Sequence, residues 1–354
     1  MMTKPLQLAV IYISATLLLL LCLLLYLLLR KSVENQMWRK VGELEKAYTL
    51  PLIHFLRKGV ENEALHSDMS KVKKLTLENL LTRFSDLVCD EEIRDRIRAF
   101  AERHLLQTYQ IRLNHRRWTV RMTTLVQIDK LGMKAMEPYI IQKTRKHLHN
   151  MPLDEKIQIY RTLASLGSAV VLELCFNEEE GWSDYQRRDI LDRMPSALFD
   201  GIFKSFDSLS PSWKWAVIDT IGISRKTNWI PLVETFLHSE DVEIRIRSLK
   251  ALCMFSDMPA KQQYMIHARS SYWEERMMAA KWFGVLKHEM YLPDLQELMT
   301  DLSWWVRSQA AQSILQYPDG RNVLHLIRSG HDDRYARDMA QEWLERGSEY
   351  GTLD

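Results

Sequence analysis

The chain has 354 residues, and its 48 Lys and Arg stand against 46 Asp and Glu for a formal net charge of +2. That balance gives no support to a nucleic-acid binder, which would carry a basic excess or a basic stripe. With only 12 Gly and 10 Pro, tight β-turns and phosphate-cradling loops are scarce, so an all-α protein is expected. Cys22, Cys89, Cys175 and Cys253 stand far apart, without metal-ligand or redox spacing, and read as buried free thiols.

Residues 1–31 read as a membrane anchor. No charge falls between Pro5 and Leu29, and Leu8 to Leu29 is apolar apart from Ser14 and Thr16, which puts a transmembrane helix at about residues 6–29. At ~1.5 Å per residue the apolar run covers the roughly 30 Å hydrocarbon core. It exceeds the h-region of a signal peptide, and Arg30-Lys31-Ser32 follows it without a small-x-small cleavage site. Lys4 precedes the run, while Arg30, Lys31, Arg39, Lys40 and Lys46 follow it. The positive-inside rule then places the rest of the chain on the cytoplasmic side of the inner membrane.

Residues 32–74 are expected to form a helical stalk and an N-terminal cap. Val33, Met37, Val41 and Leu44 recur at helical spacing, Pro51 interrupts the helix, Leu50 to Val60 reads as a second amphipathic piece, and Glu61 to Lys74 reads as a loop.

From residue 75 to 346 one helix opening recurs. It is clearest at Asp241-Val-Glu-Ile244-Arg245, with Ser248, Leu249 and Leu252 three, four and seven residues after the arginine, on one face of a helix. Matching basic residues stand at Arg94, Arg121, Lys156, Arg187, Lys214, Arg276, Arg307 and Arg337, and the spacings along the series are 27, 35, 31, 27, 31, 31, 31 and 30 residues. A near-constant period of this length is the mark of a helical-repeat array. Second helices are expected at Met136–Leu148, Ser168–Phe176, Ser196–Phe206, Trp229–Leu237, Tyr291–Met299 and Arg321–Ile327, with Pro138, Pro231 and Pro293 in first turns, where proline is tolerated. Asp90, Ser183, Ser210, Asp241, Ser303 and Asp333 stand four residues before the basic position as N-caps, and Ser183 with Gln186 and Ser271 with Glu274 could close capping boxes. Residues 347–354 read as a flexible tail.

The turn Asp followed by Val or Ile and Arg, then small and apolar positions, resembles HEAT repeats in the form found in bacterial membrane-anchored proteins. The resemblance implies antiparallel helix pairs stacked into an α-solenoid, with the Arg-headed helix lining the concave side and the array serving as a binding surface. It also implies a ladder between turn Asp and helix Arg of neighbouring units, although only Asp90, Asp241 and Asp333 keep the acid.

If the Arg-headed helix packs through the positions one before the arginine and three, four and seven after it, those one, two, five and six after it face outward. Arg247, Lys250, Lys281, Trp282, Gln309 and Gln312 fall there and are candidate partner-binding residues, together with the adjacent rings Trp304 and Trp305. The basic column itself is expected to pair with turn carboxylates and carbonyls of the next unit rather than to bind phosphate. Trp118, Trp213, Trp215 and Trp273, also at helix starts, read as wedges between units. His147 and His149 point apart on a helix, and Glu178-Glu179-Glu180 reads as a charged loop. No catalytic, metal-binding or cofactor motif is present. The expected function is a non-catalytic scaffold that holds a protein partner at the membrane. The resemblance suggests a membrane enzyme complex, such as a polysaccharide-making glycosyltransferase. The alternative is an enzyme on a HEAT-like scaffold, DNA glycosylase-like or bilin lyase-like.

Overall fold

The computed structural model describes residues 4–60, 62–67, 69–147, 150–176 and 181–350, the side chains of 4–11 and 347–350 excepted. Every regular element among the described residues is helical. The chain divides into two compact units, Met1–Ser168 and Ala169–Asp354.

In the first unit α1 (Lys4–Lys58) runs unbroken for 55 residues. Its apolar end reaches a mean hydropathy of 2.6 with none of that window buried against protein, so this one helix is long and apolar enough to cross a membrane. Contrary to expectation, Pro51 lies inside α1, and the amphipathic pieces on either side of it are one helix. A proline in a helix interior costs about 3 kcal/mol. Packing offsets that cost: Val41, Leu52 and Leu56 fall on one stripe by helical period and are buried, and α1 packs on α3 (Lys71–Leu87). The expected loop before residue 74 is also partly helical, holding α2 (Glu63–His66) and the start of α3, with residues 61 and 68 outside the described residues. Ser70 Oγ accepts from the Lys73 amide at 3.3 Å, and Lys73 Nζ donates to the carbonyls of Ala64, at 2.8 Å, and Ser67, which fixes the entry to α3. The unit continues with α4 (Glu91–Leu113), α5 (Trp118–Leu131), α6 (Glu137–His147) and α7 (Leu153–Leu166). The helices headed by Arg94, Arg121 and Lys156, α4, α5 and α7, pack in sequence, and α6 packs on α7.

The second unit holds α8 (Val170–Phe176), α9 (Asp184–Asp192), α10 (Ser196–Ile202), α11 (Pro211–Ile223), α12 (Ile230–Phe236) and α13 (Val242–Leu252). It continues with α14 (Trp273–Leu286), α15 (Leu292–Leu298), α16 (Trp304–Ile314), α17 (Gly320–Gly330) and α18 (Arg334–Tyr350). The helices α9, α11, α13, α14, α16 and α18, headed by arginine except for Lys214 on α11, form a row in which each packs on the next, while α12, α15 and α17 pack against them. Between α13 and α14 the outer place is taken by a 3-10 segment, Gln262–Arg269, that packs on α14. Pro138, Pro231 and Pro293 are each the second residue of their helix, as the spacing predicted. α18 reaches Tyr350, into the stretch expected to be a tail, and residues 351–354 lie outside the described residues.

The caps are mostly where expected. Asp90, Asp241 and Asp333 accept backbone amides of their own first turns at 3.1, 2.8 and 2.8 Å, and Ser183 with Gln186 closes a capping box. Ser210 and Ser303 hold the N-cap position without a side-chain bond. The box expected of Ser271 and Glu274 does not form, because α14 starts after Tyr272 and Ser270 Oγ accepts the Tyr272 amide instead. Among the cysteines only Cys175 is fully buried, Cys253 is half-buried with its thiol pushed up to about 12 by burial, and Cys22 and Cys89 are exposed rather than buried as expected.

Candidate partner-binding surface

The packing positions of the row agree with the helical period: Ile244, Ser248, Leu249 and Leu252 are buried, as are Val306, Ala310, Ala311 and Ile314. The sixth position after the arginine, expected to face outward, is buried too, at Thr220, Ala251, Trp282 and Ser313. A helix inside a row has a neighbour on each side as well as an outer helix, so its buried arc is wider than one stripe. Two glycines show how closely the row is packed. A Cβ on Gly222 would lie 2.7 Å from Ala251 Cα, and one on Gly284 would lie 2.6 Å from Ser313 Oγ. The small residues at the sixth position are therefore contact points between successive helices.

Trp282 is the largest correction to the candidate set. It is fully buried against Tyr264, with ring centroids 4.1 Å apart, and cannot anchor a partner. Arg247 is also committed elsewhere: it donates to Glu243 and to Asp219, each at 2.6 Å, lies 3.9 Å from Asp184, and stacks over Trp215 at 5.0 Å. It ties α9, α11 and α13 together. Lys250, Lys281 and Gln312 are exposed, as expected, and Gln309 is half-buried with its amide donating to Gln312 at 3.2 Å and Ser313 at 3.3 Å. Trp304 and Trp305 are 41% and 59% exposed, their rings edge to face at 4.8 Å. Trp305, Gln309 and Gln312 share one face of α16 by helical spacing, and Lys281 and Lys250 hold the equivalent place on α14 and α13. The surface thus loses Arg247 and Trp282 and keeps Lys250, Lys281, Gln309 and Gln312, with Trp304 and Trp305 as its exposed aromatics. Of the four tryptophans expected as wedges only Trp213 is fully buried; Trp118 and Trp273 are partly exposed and Trp215 is half-buried. His149 and the Glu178–Glu180 run lie outside the described residues.

The basic column is structural, in a pattern the sequence only half disclosed. Six of the arginines reach back to carbonyls five or six residues earlier in their own turn: Arg94 to Val88, Arg121 to His115 and Arg116, Arg245 to Ser239 and Glu240, Arg276 to Ser270, Arg307 to Asp301, Arg337 to His331. Arg121, Arg245 and Arg276 then fork onto a buried carboxylate of the following unit. Arg121 holds Glu155 at 2.7 and 2.5 Å, Arg245 holds Glu275 at 3.0 and 2.8 Å, and Arg276 holds Asp301 at 2.6 and 2.9 Å. The expected ladder acids, Asp241 and its equivalents, cap their own helices instead. At Arg187 and Arg307, which make no such fork, an aromatic face takes its place: Arg187 lies over Trp213 at 5.9 Å and Arg307 over Tyr335 at 5.1 Å. Burial alone would raise the Glu275 pKa, but hydrogen bonds from His267, Arg245 and Ser270 outweigh it and pull the group down to about 2. The carbonyls in these bonds belong to the arginine's own turn, not to the next unit as expected.

No family model matches the chain, and no curated protein matches it either.

Proposed function

We propose that the chain is a single-pass inner-membrane protein whose helical rows build a HEAT-like α-solenoid on the cytoplasmic side. In this reading it is a non-catalytic scaffold that holds a membrane-associated protein partner. The exposed apolar end of α1 and the Lys and Arg that follow it support the anchor and its orientation. The repeated Arg-headed helix, packed in sequence and forked by arginine to its neighbour, supports the repeat architecture.

The observation that carries the binding role is the face formed by Trp305, Gln309 and Gln312 and extended by Lys281 and Lys250. An exposed indole among polar groups has the composition of an interface anchor with its rim. By the resemblance, the partner class is a membrane enzyme complex such as a glycosyltransferase that makes a polysaccharide.

The test is purification of the full chain from membranes in mild detergent, as wild type and as Trp305→Ala. A membrane enzyme that co-purifies with the wild type and is lost with the variant, at unchanged thermal unfolding, supports the scaffold. Retention of that enzyme by Trp305→Ala overturns this surface, and turnover of a substrate by the purified chain alone overturns the non-catalytic role. Trp282→Ala tests packing only.

A further inference from the structure

The fork between Arg121 and Glu155 differs from the others. In the second unit one guanidinium meets one buried carboxylate, assisted at Glu275 by His267 and Ser270. At Glu155 a second cation joins: Lys143 Nζ lies 3.5 Å from its Oε1 and also donates to the Leu113 carbonyl. The side chains of Arg121 and Lys143 are 18% and 12% exposed and that of Glu155 only 2%, so two sequestered cations share one carboxylate whose oxygens are both held by Arg121. An unmatched buried charge is costly, and a second anion at this point would relieve it. Burial, with Arg121 beside it, holds the Lys143 ammonium below its ordinary pKa, while burial's opposite pull on Glu155 is outweighed by its bonds and charges from Arg121 and Lys143.

The same residues line an open cavity of about 330 Å³, and the rim adds Arg116, His115, His147 and Asn150. The cavity lies wholly within the first unit, between the ends of α4 and α6 and the start of α7. His115 Nδ1 accepts the Arg117 amide at 3.0 Å, so its Nε2 carries the ring proton as a donor. With Arg116, Arg121 and Lys143 set against Glu155, the lining holds a cationic excess in a space of ligand size. The carbonyl ends of α4 and α6 oppose an anion here, and the bond from Lys143 to the Leu113 carbonyl reduces that opposition.

We propose that this cavity binds a phosphate monoester, carried either by a small phosphorylated compound or by a lipid headgroup. Arg116 supplies a planar pair of donors at the rim, and Lys143 supplies a point charge in the interior. The site is independent of the partner surface, since it uses none of that surface's residues.

The experiment uses the full chain in phosphatidylcholine nanodiscs, titrated with glycerol 3-phosphate by calorimetry. The expected result is one saturable site, weakened about tenfold or more by Arg116→Ala or His147→Ala and unaffected by Lys281→Ala, which removes an exposed cation elsewhere. Lys143→Gln also removes a bond to the α4 carbonyl end, so the two rim variants carry the test. A second arm replaces part of the phosphatidylcholine with phosphatidic acid and follows hydrogen exchange across residues 114–121. Protection there that is lost with Arg116→Ala, without binding of the free ester, assigns the phosphate to a lipid. Silence in both arms overturns the proposal. So does equal weakening by Arg116→Ala and Lys281→Ala, which would mean diffuse attraction only.

Discussion

Gly284→Ala should destabilise the second unit, against its intrinsic effect on a helix. Replacing a helical glycine by alanine ordinarily gains about 1 kcal/mol. At this position the new methyl would stand 2.6 Å from Ser313 Oγ, 2.7 Å from its Cβ and 2.9 Å from its Cα. A hydroxyl can rotate away, but Cβ and Cα move only if α16 moves, so the overpacking cost lies toward the upper end of the usual range, about 3 kcal/mol. The net loss is then about 2 kcal/mol, or a fall of roughly 4–8 °C in the thermal midpoint for a unit of this size. Circular dichroism melts of the chain in detergent would read it. Ser313→Gly alone should cost about 0.5–1 kcal/mol through helix entropy. The double variant should be more stable than the sum of the two by more than about 0.5 kcal/mol, since two of the three clashing atoms are gone. If Gly284→Ala is neutral or stabilising, or if the two changes simply add, α14 and α16 are not in the contact described.

Leu249→Asp should cost several kcal/mol in a melt, because it puts an unpaired charge at a fully buried position, whereas Lys250→Asp, one residue along and exposed, should be close to neutral; equal damage would break the register of α13. The Glu275 pKa is about 2 in the folded chain against an ordinary 4.5. Its contribution, about 3 kcal/mol, is therefore complete above pH ~4.5 and lost as pH falls toward 2. Glu275→Gln should flatten stability across that window, and an unchanged acid profile would exclude the ion pair as its source. A reporter active only in the cytoplasm should work when fused after Asp354; activity there of a periplasm-dependent reporter would reverse the orientation.

The helix starts were legible because their signals are local. A capping side chain or a first-turn proline acts within a few residues, so Asp241, Ser183, Pro231 and Pro293 could be placed from the sequence. Pro51 misled because its cost is local while the compensation, burial of Leu52 and Leu56 against α3, comes from residues further along the chain. Trp282 misled for a related reason. A one-stripe amphipathic pattern describes a helix with one neighbour, but α14 touches α13 on one side and α16 on the other, with the 3-10 segment of Tyr264 outside. The alternation of small and large residues at the sixth position, Ala251 then Trp282 then Ser313, follows from that packing and has no signature of its own in hydropathy.

The ladder acids did leave a mark in the sequence. The residue just before the basic position is buried at Glu155, Trp213, Ile244, Glu275, Val306 and Ala336, so a carboxylate there must be paired, and the guanidinium that pairs it belongs to the preceding unit. Glu155 before Lys156 and Glu275 before Arg276 satisfy this rule, and both are forked by the preceding arginine. Where the same position is apolar, the preceding arginine needs another partner. Val306 precedes Arg307, and Arg276 turns to Asp301 in the turn before it; Ala336 precedes Arg337, and Arg307 lies over Tyr335. Trp213 precedes Lys214, and Arg187 uses the face of that indole. The acid and the aromatic are alternative solutions to one requirement, that the outer edge of a part-buried guanidinium must find a partner. The turn Asp is therefore not what joins these helices, and its absence from most turns does not weaken the row. Nor does the ladder draw on Lys250, Lys281 or Gln312, so the arginines join the helices without engaging these exposed side chains.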